Sequence, residues 1–246
     1  MKIISSARNE NIKLVKSLLT KKGRNLTGLF VAEGGNLVKD IPIDYPVCSI
    51  FLKKSVAQKY EKLAYGLCEE VFMVDDSIFN AVSDTASPAG ILAVCSQKQA
   101  CAPQGDKILV LDTLQDPGNL GTVLRSCAAF GFYDIIGINC ADFYSPKVVR
   151  ASMSAVFKLN FIEAEYPSAL EILRDYAVFI LDASGSDIRS MRPNGKIALV
   201  LGNESAGVNQ ILKNKGKMLG IPMSGEIESL NAAVAASIAM FQFIDY

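Results

Sequence analysis

Three polar, glycine-bearing turns carry the residue types best suited to chemistry. In DTLQDPGNLGTVLRSCAAFG, Asn119 opens a helical run, and Arg125 follows within its apolar part. A charge set in apolar sequence needs an ion partner or an anionic ligand. In LVLGNESAG, Glu204 is framed by Gly202 and Gly207 at the end of an apolar run. An acid there can meet Arg125 or a ligand amine. In IPMSGEIESLNAAVAASIAM, a strand-like run over Met218–Met223 and a polar loop over 224–228 precede Ser229 and Asn231. These two stand at the mouth of a helix carrying Ala232, Ala233, Ala235, Ala236 and Ala239. Ser or Asn there can cap free backbone N–H groups, and small residues admit close backbone approach, so the turn suits a polar small molecule. Amide, guanidinium, carboxylate and hydroxyl together can hold an anion and take up a proton. Plainer readings stand beside this one: an Arg125–Glu204 structural ion pair, turn geometry at Gly202 and Gly207, and a capped C-terminal core helix. Gly118 and Gly121 form only an incomplete dinucleotide fingerprint, and Asn139 stands where an acid would end the second strand. A dinucleotide-dependent oxidoreductase therefore gets little weight.

The composition narrows the chemistry further. The chain has 246 residues, half of them hydrophobic, with 25 basic and 25 acidic residues and no histidine. The absence of histidine excludes Ser-His-Asp and Cys-His catalysis. The six cysteines, Cys48, Cys68, Cys95, Cys101, Cys127 and Cys140, form no CxxC pair, so no metal site is expected. Most lie in apolar runs and read as small core residues of a reducing cytoplasm. The N-terminus lacks a signal-peptide core, and the last apolar helix is shorter than the roughly 20 residues a bilayer requires.

The elements that must position these turns fall into two α/β domains. In the first, residues 1–96, strands are expected over Leu29–Glu33, Val47–Leu52, Val71–Val74 and Gly90–Cys95. Helices are expected from Asn9 to about Lys22 and over Gly34–Lys39, Ser55–Ala64 and Asp76–Val82. Residues 97–106, with Pro103 and Gly105, read as a linker. In residues 107–246, strands over Lys107–Asp112, Asp134–Asn139, Asn160–Glu163, Val178–Asp182, Lys196–Leu201 and Met218–Ile221 alternate with helices over Gly118–Phe130, Lys147–Phe157 and Pro167–Tyr176. Continuous apolar strands alternating with helices mean a parallel sheet covered on both faces, with ligands at the carboxyl ends of the strands. The neutral whole hides a basic end: residues 1–28 hold seven basic residues against Glu10 alone. That end is either a solvated helix face or a contact for nucleic-acid phosphates.

Taken together, Asn119-x-Gly121-x-x-x-Arg125, Gly202-Asn203-Glu204-x-x-Gly207 and Ile221-Pro222-Met223-x-Gly225-x-x-x-Ser229-Leu230-Asn231 resemble the three motifs of the SpoU/TrmH family. These are SPOUT-class RNA 2′-O-ribose methyltransferases. IKLVKSLLTKKGR, the FVAEG run and SPAGILAV are similar to the family's L30e-like RNA-binding domain. The resemblance implies a parallel-sheet domain with a deep trefoil knot behind a small L30e-like domain, S-adenosylmethionine as cofactor, RNA (rRNA, with tRNA the other candidate) as substrate, a homodimer through the C-terminal domain, and a cytoplasmic protein without a membrane partner. It implies catalytic roles for Arg125, Asn119, Glu204, Ser229 and Asn231. It implies a cofactor pocket formed by Ala183, Ser184, Leu201, Gly202, Asn203 and Gly207, with Ile221, Pro222, Met223, Leu230, Asn231 and Ala235. Lys13, Lys16, Lys21, Lys22, Arg24 and Arg150 would face RNA. Where the family often has Val-Ser after Leu-Asn, Ala232-Ala233 stand here, a loss of a hydroxyl that could cap the helix or touch the cofactor. A non-catalytic RNA-binding or assembly factor on the same scaffold is the alternative.

Overall fold

Apolar runs of β-branched residues become strands in a computed structural model that describes residues 1–225 and 229–244. Part of the polar loop expected over 224–228 therefore lies outside the described residues. The chain divides into two units. The first comprises Met1–Gln97 together with Tyr144–Phe157; the second comprises Lys98–Phe143 and Lys158–Tyr246. The segment 144–157, expected in the second domain, thus folds with the first unit.

The first unit contains β1 (Lys2–Ile4), α1 (Glu10–Leu18), α2 (Lys21–Thr27), β2 (Leu29–Glu33), α3 (Gly35–Lys39), β3 (Val47–Lys53), α4 (Ala57–Leu67), β4 (Val71–Val74), α5 (Asp76–Val82) and β5 (Ile91–Ser96). Its sheet runs β1-β4-β3-β5-β2, with β5 antiparallel to both neighbours and the other pairs parallel. The single N-terminal helix read from periodicity is two helices, because Thr20 caps a new one by accepting from the Gly23 N–H at 3.2 Å. Ile12, Val15 and Leu18 of α1 are buried, as their spacing requires. Segment 144–157 supplies α7 (Pro146–Ser152), and its flanking rings join an aromatic cluster: Phe30 lies 4.8 Å from Tyr144, and Tyr45 lies 4.9 Å from Phe157. Glu33, only 5% exposed, accepts from the Ser83 hydroxyl, the Asp84 N–H at 3.0 Å and the Thr85 hydroxyl at 2.8 Å. This buried carboxyl pins the 83–85 turn, a role that no pattern in the sequence announces.

The second unit contains β6 (Lys107–Asp112), α6 (Pro117–Phe130), β7 (Asp134–Ile138), β8 (Asn160–Glu163), α8 (Tyr166–Ile172), β9 (Ala177–Asp187), β10 (Ile197–Leu201), α9 (Gln210–Lys213), β11 (Lys217–Gly220) and α10 (Ala232–Gln242). The sheet is parallel throughout, in the order β11-β9-β10-β6-β7-β8. Strand progression reverses between β6 and β10, so the loops after these strands border the switch point where such sheets open a crevice. The β9–β11 ladder is broken: Met218 faces Ile180, but the next residue, Leu219, faces Ser186. Residues 181–185 therefore leave the ladder. At the crossing, a Cβ on Gly185 would lie 2.5 Å from the Leu219 backbone, so only glycine permits the approach. Of the six cysteines, all unbridged, only Cys95 and Cys127 are buried, which corrects the expectation that most pack in cores. No helix among the described residues is long and apolar enough to cross a membrane.

Candidate active site

Two contacts between neighbouring strand ends build the site. Asp112, the last residue of β6, is 1% exposed and accepts from the Asn209 N–H at 2.7 Å and the Tyr166 hydroxyl at 2.9 Å. Burial first, and then the bond to Asp112, push the Tyr166 phenol up to about 12. Asn203 donates to the Thr113 carbonyl at 3.0 Å, while Thr113 sits at φ 60, unusual for a β-branched residue. The loop between β10 and α9 is thus fastened to the end of β6 near both of its ends. Within it, Asn203 and Gly207 exchange backbone bonds of 3.1 and 2.9 Å, and a Cβ on Gly202 would lie 2.3 Å from Gly207.

This loop forms one wall of a cavity of about 580 Å³. Leu201, Gly202, Asn203, Glu204 and Gly207 line that wall. Ile221 and Met223 contribute from the end of β11, and Ser229, Leu230, Asn231 and Ala235 from the start of α10. The displaced segment of β9 adds Leu181, Asp182 and Ala183, and the end of α9 adds Lys213. The cavity collects most of the cofactor residues expected from sequence. Ser184 and Pro222 are not among its lining residues, although Ile221 and Met223 on either side of Pro222 are. Ser184 instead turns inward on its own chain, donating from its N–H and hydroxyl to Asp182 at 3.0 and 2.7 Å.

The catalytic set divides. Asn231 donates to Asn119 at 2.9 Å, and Asn119 donates to Glu204 at 2.7 Å, so one residue from each motif joins a continuous chain of side chains. This network also fixes which way both amides point. Asn231 caps α10, its oxygen accepting from the Ala233 and Val234 N–H groups, so Ala232-Ala233 costs the helix no cap. Asn119 belongs to the network but does not line the cavity. Arg125 departs from expectation. It is exposed, lines no part of this cavity and makes no hydrogen bond or ion pair with the described residues. The reason is helical phase. Leu120, Gly121, Val123, Leu124 and Cys127 take the buried face of α6, and Arg125 shares the outer face with Thr122 and Ala129. The alternative of an Arg125–Glu204 structural ion pair is not realised, and Glu204 accepts from Asn119 instead.

Sequence reasoning missed Asp182 and Lys213, which form an ion pair of 2.7 Å on the cavity wall. The Lys213 ammonium and then the Ser184 donors hold the Asp182 carboxyl at about 2. Because the folded value lies below the ordinary one, the stabilisation is present above the normal carboxylate range and is lost as pH falls toward 2. Helix position gave no hint of Lys213, since α9 has only four residues.

Two arginines and one lysine assigned to RNA are otherwise engaged. Arg24 is 3% exposed and donates to the Leu18 carbonyl at 2.6 Å, a buried strut. Arg150 pairs with Asp84 at 2.7 Å within the first unit. Lys13 pairs with Glu10 at 2.7 Å on the surface, whereas Lys16, Lys21 and Lys22 are exposed.

A wholly parallel α/β sheet with a part-apolar, part-charged cavity at the carboxyl ends of β9, β10 and β11 has the architecture of a small-molecule-binding enzyme domain. Residues 106–241 match the model of the SpoU rRNA Methylase family, and residues 9–93 match that of the MRM3-like substrate binding domain. The chain belongs to the SpoU rRNA methylase family. It is 32% identical to the 23S rRNA (guanosine(2553)-2'-O)-methyltransferase RlmP of Bacillus subtilis, over 98% of each chain. The solved AdoMet-bound rRNA methyltransferase from Sinorhizobium meliloti superposes with a TM-score of 0.86 at 26% identity, covering 98% of this chain and 96% of that one. A putative TrmH-family RNA methyltransferase from Porphyromonas gingivalis gives 0.84 at 28% identity, covering 96% of this chain and 98% of that one.

Proposed function

We propose that this protein transfers a methyl group from S-adenosylmethionine to a ribose 2′-hydroxyl of ribosomal RNA in the cytoplasm. The observation that carries the reading is the Asn231–Asn119–Glu204 chain beside a cavity to which each of the later two motifs contributes. The cavity suits the cofactor in size and chemistry. Its volume of about 580 Å³ falls in the small-ligand range, Leu181, Leu201, Leu219 and Ile221 offer apolar walls to a base, and Asp182, Lys213 and Glu204 offer charge to the polar parts. When bound there, S-adenosylmethionine supplies an electrophilic methyl group on a sulfonium. The chain's own residues position the hydroxyl and receive its proton. Glu204 has one carboxyl oxygen engaged by Asn119, and its other oxygen makes no hydrogen bond with the described residues. That oxygen takes the proton. The guanidinium of Arg125, without a partner among the described residues, binds the target phosphate bidentately and stabilises the forming alkoxide, and Ser229 adds a hydroxyl at the cavity.

Two finer features belong to the same reading. The jump in the β9–β11 ladder and the glycine-only crossing at Gly185 support a trefoil knot in the second unit. The five-stranded mixed sheet supports an L30e-like RNA-reading unit, with exposed Lys16, Lys21 and Lys22 as its phosphate contacts. Val234, Ile238 and Phe241 of α10 are 47%, 40% and 53% exposed on one helical face, an apolar strip that suits a second copy of the chain. Phe241→Glu should shift the protein from dimer to monomer in light scattering.

Filling the cavity tests the assignment directly. Ala235→Phe places a ring in it, and titration calorimetry should show S-adenosylmethionine affinity falling at least about 100-fold, with far-UV circular dichroism unchanged. Unaltered affinity would place the cofactor elsewhere. Transfer of labelled methyl to ribosomal but not transfer RNA, followed by mapping of the modified ribose, tests the substrate.

A further inference from the structure

The side chains of the Asp182–Lys213 pair are 20% and 26% exposed, so both ions give up much of their hydration on the cavity wall. Several independent contacts hold the pair in place. Asp182 is turned by both donors of Ser184 at 3.0 and 2.7 Å. Lys213 ends a helix whose cap, Asn209, is anchored through its N–H to buried Asp112 at 2.7 Å. Both side chains line the cavity. Among the described lining residues, Asp182 and Glu204 are acidic and Lys213 alone is cationic. An ammonium has three donors, and among the described residues only Asp182 uses one of Lys213's.

We infer that Lys213, tethered by Asp182, receives the carboxylate of the methionine moiety of S-adenosylmethionine and thereby sets the polar end of the cofactor pocket. The inference rests on the assignment of the cavity to this cofactor. The carboxylate is the cofactor's one anionic group, and Lys213 is the matching charge on the described wall. Asp182 acts as a positioning residue: it keeps a flexible four-carbon stem aimed at the cavity, reducing the rotamer freedom lost on binding. The main ring system of the ligand gains nothing from this pair, and that separates the proposal from a general effect on cavity shape.

The test compares two ligands by titration calorimetry on the full-length protein. S-adenosylmethionine carries the carboxylate; 5′-methylthioadenosine keeps the adenosine and sulfur but lacks the amino-acid end. Lys213→Met should weaken S-adenosylmethionine at least about 10-fold and leave 5′-methylthioadenosine within about 2-fold, as expected for loss of one charge-assisted contact. Lys213→Arg should restore most of the loss. Equal weakening of both ligands, or of neither, overturns the role of Lys213 while leaving the cavity assignment intact. Failure of that assignment is read separately, from normal binding of both ligands by Ala235→Phe.

Discussion

Arg125→Ala should lower methyl transfer by about 10³-fold while leaving S-adenosylmethionine affinity within about 2-fold. The two parts of this expectation come from one geometric fact. Arg125 points away from the buried face of α6, has no partner among the described residues and does not line the cavity. Removing it takes no contact from the cofactor and leaves no buried acid unpaired, since Glu204 is bonded by Asn119 rather than by the guanidinium. What is lost is a cation with fixed fork geometry, suited to a phosphate on the incoming RNA and to negative charge growing on the ribose oxygen. Single-turnover rates with labelled cofactor measure the first part and calorimetry the second. A large loss of cofactor affinity would show that Arg125 supports the pocket instead. Lys at this position should recover only a small part of the rate, because a point charge cannot reproduce bidentate contact.

Asp112→Ala is expected to be the most destabilising of the substitutions considered. The carboxyl group is 1% exposed and satisfies two donors, the Asn209 N–H and the Tyr166 hydroxyl. Truncation leaves both donors without an acceptor at about 1–3 kcal/mol each, so a total near 3 kcal/mol is expected. For a unit of this size that corresponds to a fall in Tm of roughly 10 °C. Tyr166→Phe, which removes only one donor, should cost about 1 kcal/mol. Asp112→Ala, unlike Tyr166→Phe, should also raise the Kd for S-adenosylmethionine, because the Asn209 bond it removes is one of the two that fasten the cavity loop to β6. Thermal melts followed by circular dichroism, with calorimetry below the transition, separate the effects. A melting point within about 2 °C of wild type would mean that water or a rearranged loop replaces both bonds.

Much of the molecule follows from local pattern. The strands Leu29–Glu33, Val71–Val74, Lys107–Asp112 and Asn160–Glu163 occupy the spans that the sequence pattern predicts. The parallel sheet follows from continuous burial of such strands alternating with helices. The three motifs, their order and the histidine-free chemistry are properties of the chain, and family membership follows from them. Short-range physics was enough there, because side-chain period and capping act over a few residues.

The rest required the third dimension. Arg24 and Arg150 are expected from sequence to face RNA, yet a carbonyl six residues back and a carboxylate from a distant turn engage them. The phase of α6, not its composition, turned Arg125 outward. Residues 144–157 joined the first unit through contacts with Phe30 and Tyr45. Asp182 and Lys213 meet across 31 positions of chain, at a break in the β9–β11 ladder that no periodicity encodes. A sequence specifies which groups exist and which local face each prefers. Which of them become partners depends on long-range strand register and on the competition among all nearby donors for a few buried acceptors, and only the folded chain resolves that competition.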